Sequence, residues 1–243
     1  MLVGHVAVGF AVKPFSPRLS LGLAVFAAML ADVLWCVLML AGVEHVQFTG
    51  GRGAANYLVA TDIAWSHSLA TGVAYGVLVA LLYWRRSNVW RAAWILAAVV
   101  VSHWMLDTIA HRPDMPFAPG VTARVGLGLW TSVPATLILE GGFWAAALVF
   151  FVRTRSARRR MAPVVLWGVA ALLTLAWYNN IAGPPPPDPR SAPVASLVFF
   201  TLIIAWAYWV DRLYSVERVV GKNRPETTTA AHAVDAKQEH PHS

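Results

Sequence analysis

The feature that most limits how this chain can fold is a series of six apolar runs, each long enough to cross a bilayer as a helix. A hydrocarbon core of ~30 Å needs ~20 helical residues, and the runs cover residues 19–43, 63–84, 89–111, 133–152, 161–181 and 193–214. Lipid offers the backbone no hydrogen-bond partner, so only helices or closed barrels cross it. The 58% hydrophobic and 13% charged content agrees. We therefore predict an all-α polytopic transmembrane helical bundle of about six spans.

The two ends of the chain are predicted to differ from these spans. Residues 2–12 are apolar but too few to cross the membrane, so we expect a half-helix that other helices bury. The stretch from residue 215 onward is polar and lacks apolar periodicity. We therefore expect a transmembrane domain over residues 1–214 and a disordered cytoplasmic tail over residues 215–243.

Positive charge is unevenly divided among the loops. Lys and Arg are concentrated in residues 13–18, 85–91 and 153–160 and at the start of the tail, whereas the alternate loops carry few. The positive-inside rule places the basic loops in the cytoplasm. This predicts an integral protein of the plasma (inner) membrane with its N- and C-terminal sides cytoplasmic. Because the net charge of +7 comes largely from these loops, we do not expect nucleic-acid binding.

The most informative polar residues lie in the third run, as Ser102-His103-x-x-x-Asp107-x-x-x-His111. In a helix, His103, Asp107 and His111 are spaced i, i+4 and i+8 and share one face. An ionisable side chain at the bilayer centre costs at least ~2.5–3.5 kcal/mol unless it is paired or functional. The pattern fits a metal or catalytic site. It also fits a His–Asp hydrogen bond that only holds two helices together.

Counting residues at ~1.5 Å of helical rise places polar groups from five segments at a similar depth. They lie in the middle-to-outer zone of the membrane, and they are His5, Asp32, His67, the His103–Asp107 pair and Glu140. Imidazole-rich ligation favours zinc among divalent metals. We therefore predict a divalent-metal site, zinc by preference, with the ligands His5, Asp32, His67, His103, Asp107 and His111. Cys36 is the only cysteine, so a cysteine-ligated site is not expected.

Other polar residues leave alternatives open. Asp62 lies five residues before His67 and could complete the site or cap a helix N-terminus. Glu44 follows an apolar run and is expected to be solvated. A metal-activated water needs a group that accepts its proton. For that catalytic role we predict Asp32, Asp62 or Glu140.

The order of these motifs resembles that of a known family. Gly4-His5, the mid-span Asp32, Trp65-Ser66-His67-Ser68-Leu69 and Ser102-His103-x-x-x-Asp107 are similar to motifs of the membrane-bound metal-dependent hydrolase family, whose pattern is reminiscent of zinc-dependent phospholipases C. The likeness covers about the first half of the chain. It departs at Asp32, where the family usually has two aspartates, and at Asp62, which takes the place of a histidine. The resemblance implies hydrolysis of a lipid or another phosphoester near the outer leaflet.

Two other functions remain open from the sequence. Intramembrane histidine and aspartate also form proton or cation relays in transporters and permeases. A relay should continue toward the cytoplasmic side, where these spans are almost wholly Ala, Val, Leu and Trp. The third possibility is a non-catalytic membrane scaffold with a structural polar cluster. The sequence leaves the substrate and the oligomeric state open.

Overall fold

The computed structural model describes residues 1–48, 55, 58–183 and 191–216, and these are mainly helical. The helices are α1 (Leu2–Val12), α2 (Leu21–Ala28), α3 (Leu30–Leu40), α4 (Ala64–His67), α5 (Leu69–Ser87), α6 (Trp90–Ala110), α7 (Val133–Arg153), α8 (Ala162–Ala182) and α9 (Ala192–Leu213). Three short antiparallel strand pairs join β1 (His45–Phe48) to β2 (Leu58–Asp62), β3 (Met115–Pro116) to β4 (Arg124–Val125), and β5 (Arg155–Ala157) to β6 (Tyr214–Val216). The predicted helical class is confirmed.

The predicted number of membrane spans is not confirmed. In the described part of the chain, α6, α7, α8 and α9 are long and apolar enough to cross a membrane, and the bent pair of α2 and α3 would make a fifth span. Helix α5 has 19 residues but is not among them, because Arg85 and Arg86 in its last turn lower its mean hydropathy. These apolar helices identify an integral membrane protein. Its orientation stays a prediction, and residues 217–243 of the predicted tail lie outside the described residues.

The first long apolar run is broken at Met29 instead of forming one straight span. Helices α2 and α3 meet there at an angle of 55°, and Met29 adopts φ −101° and ψ 8°. A break in a helix frees backbone groups that must find other partners inside a membrane. One of these groups is the carbonyl oxygen of Ala28, which lies within hydrogen-bond distance of the His103 side chain.

Helix α1 is the predicted half-helix, and the other helices bury it. Seven of its eleven residues are buried, and it packs on α2, α6 and α7. Gly9 permits close approach to α2, because a Cβ atom there would lie 2.9 Å from the backbone of Val25. Phe10 fills the core beyond it, edge-on to Trp144 and Phe151. The N-terminus of α1 is thereby held inside the bundle.

The far ends of α1, α7 and α9 are joined by buried charges. Lys13 Nζ lies 2.7 Å from Asp211 Oδ1 in α9, and Arg155 Nη2 donates to the Lys13 carbonyl oxygen at 2.8 Å. Burial lowers the pKa of Lys13. Met1 lies at the other end of α1. The length of this half-helix therefore separates Met1 from the basic end of the molecule.

Candidate metal centre

Two histidine side chains face each other near the N-terminus of α1. His67 ends the short helix α4, and His103 lies in α6. Their Nε2 atoms are 3.3 Å apart, and both side chains are buried. What can occupy the space around these two atoms depends on which ring nitrogens carry protons.

The Nδ1 atom of His103 is occupied by the broken span. It lies 2.7 Å from the carbonyl oxygen of Ala28, an oxygen that the break at Met29 leaves without its usual helical partner. A carbonyl oxygen only accepts hydrogen bonds, so Nδ1 must carry the proton. The unprotonated Nε2 of a neutral His103 therefore faces His67.

The Nδ1 atom of His67 is fixed by a chain of two hydrogen bonds. It lies 2.7 Å from Ser66 Oγ, and this hydroxyl lies 2.6 Å from Glu44 Oε2. Because a carboxylate only accepts, the hydroxyl proton of Ser66 points to Glu44 and Oγ accepts from Nδ1. The lone pair on Nε2 of His67 therefore also faces the centre.

The role of Glu44 corrects an expectation from the sequence. Glu44 is 1% exposed instead of solvated, and its Oε1 accepts the backbone N–H groups of Trp65 and Ser66. The β1–β2 pair brings the start of α4 back to Glu44. The only sequence signal was a serine beside His67, and the spacing of 22 residues to Glu44 gave no indication of contact.

Two carboxylates complete the group around the facing nitrogens. Asp107 Oδ2 lies 3.1 Å from His103 Nε2 and 3.7 Å from His67 Nε2. Asp32 Oδ1 lies 3.5 Å from His67 Nε2 and 3.8 Å from His103 Nε2. Asp32 sits in the first turn of α3, where the helix dipole favours negative charge. The structure thus brings together Asp32, His67, His103 and Asp107; their role as metal ligands stays a prediction.

The separations that involve the two facing nitrogens suit a tetrahedral divalent ion. Ligands at ~2.0–2.1 Å from zinc stand about 3.3 Å apart in a tetrahedron, and the five separations between these nitrogens and the two carboxylates, or between the nitrogens themselves, run from 3.1 to 3.8 Å. Asp32, His67 and His103 form one group of ligand atoms within 4.8 Å of one another. Two imidazole lone pairs at 3.3 Å repel each other unless a cation or a proton lies between them. Two nitrogens and two carboxylate oxygens are a donor set that zinc accepts.

His5 joins the centre beside the four facing groups. Its ring stacks on His103 with centroids 3.7 Å apart, and its Nε2 lies 3.0 Å from Asp107 Oδ1. The backbone nitrogen of Met1 lies 2.7 Å from the same oxygen. Buried His5 Nδ1 has no hydrogen-bond partner among the described residues. Ligand atoms of His5, His103 and Asp107 lie within 4.8 Å of one another, so His5 is placed as a further ligand or as a support for Asp107.

The remaining predicted residues are placed differently. His111 is the C-cap of α6, and its Nδ1 lies 3.0 Å from Asp114 Oδ1, so this nitrogen is paired outside the four facing groups. Asp62 is exposed in β2 opposite His45, and the N-cap of α4 is Ile63, so Asp62 neither joins the cluster nor caps that helix. Glu140 is buried and accepts the Gly4 N–H at 3.2 Å.

A pocket of about 540 Å³ opens from the centre toward the ends of α8 and α9. Asp32, His67 and Asp107 contribute to its polar side, and so do His111 and Glu140. Trp130 narrows it by packing against His111, with ring centroids 4.5 Å apart. A molecule that enters the pocket therefore reaches His67, Asp32 and Asp107 directly.

The comparisons with known proteins leave the chain without an assigned relative. No protein-family model matches it, and neither does any curated protein or solved structure. The resemblance drawn from the sequence motifs is neither supported nor contradicted by these searches. The argument for function therefore depends on the site itself.

Proposed function

We propose that this protein is a membrane-embedded metal-dependent hydrolase whose substrate is an ester, a lipid or another phosphoester by preference. The observation that carries the proposal is the facing of the two Nε2 atoms at 3.3 Å. Each ring has its Nδ1 committed by a hydrogen bond, so both Nε2 atoms present lone pairs when the rings are neutral. Such supporting bonds fix the tautomer of metal-ligating histidines. Asp32, His67, His103 and Asp107 would hold the ion.

A bound divalent ion would supply an activated water at neutral pH and polarise the ester oxygen. The chain's own groups would do the rest. Glu140 lines the pocket and is outside the four facing groups, so it is the carboxylate best placed to accept a proton from water. Asp32 is the second candidate, because it is the more exposed carboxylate of the four-residue cluster. Asp62 is not proposed again, because it is exposed in β2.

A transporter with a His/Asp relay is the alternative, since a proton could also lie between the two Nε2 atoms. The residues on the far side of the cluster argue against it. Val6, Phe10, Val25 and Met29 are fully buried in one apolar cluster there. Ions or protons would need polar groups along that route, and these buried neighbours offer none.

The first experiment measures the metal content of the purified full chain by elemental mass spectrometry. We expect near-stoichiometric zinc or another divalent metal in the wild type, and its loss in the His103→Ala/Asp107→Ala double variant. His45→Ala is the matched control, because His45 is exposed and lies in β1. The loaded protein should hydrolyse bis(4-nitrophenyl) phosphate or a 4-nitrophenyl ester, and Glu140→Gln should keep the metal but lose activity.

Absence of metal from both samples, with the double variant correctly folded, would contradict the proposal. The cluster would then be a relay or a structural network. Transport measured in vesicles would separate those two alternatives.

A further inference from the structure

The pocket beside the centre has a polar end and an apolar wall. Its polar end carries the carboxylates of Asp32, Asp107 and Glu140. Its far wall is formed by the last turns of α8 and the first turns of α9, where Trp177, Phe199 and Phe200 supply aromatic surface, and Asn179, Asn180 and Ser196 are the polar members. A ligand that complements both ends needs a polar group and an apolar chain in one molecule.

The apolar wall lies within membrane-crossing helices. Phe200 follows Ala192, the first residue of α9, by eight positions, which corresponds to about 12 Å along the helix. Trp177 precedes the end of α8 at Ala182 by about 8 Å. The wall therefore extends about 8–12 Å along two helices that are long enough to cross a ~30 Å hydrocarbon layer. A small water-soluble ester would leave this surface without apolar contacts.

The size of the pocket limits how much of a ligand it takes. A volume of 540 Å³ falls within the ~300–1,000 Å³ range of sites for small organic molecules. That is room for a headgroup and part of a hydrocarbon chain. The rest of a longer chain would remain in the bilayer.

We propose that the pocket binds a membrane amphiphile, with its ester or acid group at the metal centre and one hydrocarbon chain along α8 and α9. The inference rests on the proposed hydrolase function for the reaction of that group. The binding itself needs only the pocket. It names the substrate class as acyl-chain lipids taken from the membrane, instead of soluble esters.

The test is photolabelling of the full chain in detergent by the methyl ester of a palmitic acid that carries a mid-chain diazirine and a terminal alkyne. A neutral ester is used because Asp32, Asp107 and Glu140 would repel a free acid when no metal is bound. We expect labelled peptides from the end of α8 and the start of α9. Excess methyl palmitate should suppress the labelling, and methyl butyrate should not. Ala195→Trp fills the pocket from α9 and should lower labelling about tenfold, the factor for excluding roughly two methylene groups.

Val198→Trp is the matched control, because Val198 lies on the same helix and is 57% exposed toward lipid. It should label like the wild type. If Ala195→Trp fails to fold, as judged by size-exclusion elution, Ala176→Trp fills the pocket from α8, with Leu175→Trp as its control. Labelling spread evenly over lipid-facing helices, or unchanged by both pocket-filling variants, would overturn the inference.

The labelling is repeated after the protein has been treated with a chelator, which separates this inference from the proposed function. Specific labelling that persists after chelation would sustain the amphiphile pocket, because it needs no reaction at the centre. Specific labelling of a protein that holds no metal as purified and hydrolyses no ester would sustain the pocket and refute the hydrolase. Hydrolysis of butyrate esters without specific labelling by the long-chain probe would sustain the hydrolase and refute the amphiphile pocket.

Discussion

The hydrogen bonds of Ser66 to His67 and Glu44 predict that Ser66→Ala lowers the affinity for the metal. The substitution removes Oγ, which accepts from His67 Nδ1 at 2.7 Å and donates to Glu44 Oε2 at 2.6 Å. His67 can then rotate or change tautomer, and Nε2 no longer has to present a lone pair. Loss of such a supporting bond typically lowers metal affinity 10–100-fold, which corresponds to about 1.4–2.8 kcal/mol.

The cost of leaving a buried group without a hydrogen bond gives a similar magnitude for the loss of metal affinity. The variant leaves a buried imidazole N–H without its acceptor, and an unsatisfied buried group costs ~1–3 kcal/mol. Glu44 keeps the two backbone bonds to its Oε1, so the start of α4 should stay folded. We therefore expect the loss to fall on metal affinity more than on the fold.

The assay is competition for zinc against a chromophoric chelator at pH 7, with the full chain in detergent. Ser68→Ala is the matched control, because the Ser68 hydroxyl accepts from Thr71 N–H at the start of α5 and touches no ligand atom of the centre. Losing that cap should cost ~1 kcal/mol of stability and leave zinc affinity within about twofold. Equal affinities for wild type and Ser66→Ala would refute the argument that Ser66 fixes the tautomer of His67.

Three further predictions concern stability. Chelation should lower the midpoint of thermal unfolding by about 5–10 °C. A ligand at 100 times its Kd adds ~2.7 kcal/mol to the free energy of unfolding, and each kcal/mol moves the midpoint by ~2–4 °C. The His103→Ala/Asp107→Ala variant should show no shift on chelation in a calorimetric scan. Gly9→Ala should destabilise the protein by ~1–3 kcal/mol, because its Cβ would lie 2.9 Å from the α2 backbone. Gly72→Ala is the control: its Cβ would meet nothing within 4 Å, so it should be neutral or stabilising. Equal effects of the two variants on thermal unfolding would contradict the close packing of α1 on α2. Burial lowers the pKa of Lys13 below its usual 10.5, so between the folded and unfolded pKa values the unfolded chain binds more protons, and the free energy of unfolding rises with pH. Lys13→Met should remove this contribution to the pH dependence of stability. A steeper rise of stability with pH in the variant would contradict the prediction.

Much of the centre could be predicted from spacing and depth. The i, i+4 spacing of His103 and Asp107 predicts one helix face, and the two side chains do meet at 3.1 Å. Residue counting along separate runs also predicts correctly that Asp32 and His67 reach the same level. These predictions hold because helical rise and the cost of buried charge are local properties of each run.

The structure departs from the expectations where a helix ends or where distant segments meet. His111 continues the helix face of Asp107 in sequence, but α6 ends at Ala110 and His111 pairs with Asp114 instead. Glu44 reaches Ser66 only because a strand pair folds the chain back. Nothing in the run around Met29 marks a break, which is stabilised by the contact between Ala28 and His103.

The break at Met29 also has a consequence for the order in which the protein is built. Until α6 is in place, the carbonyl oxygen of Ala28 has no partner from His103, and an unpaired carbonyl in lipid is costly. The bent pair of α2 and α3 is therefore a poor membrane span while the nascent chain ends before residue 103. Stable integration of the first half should wait for the segment that brings His103 and Asp107, so that insertion of the first half and assembly of the candidate centre become one event.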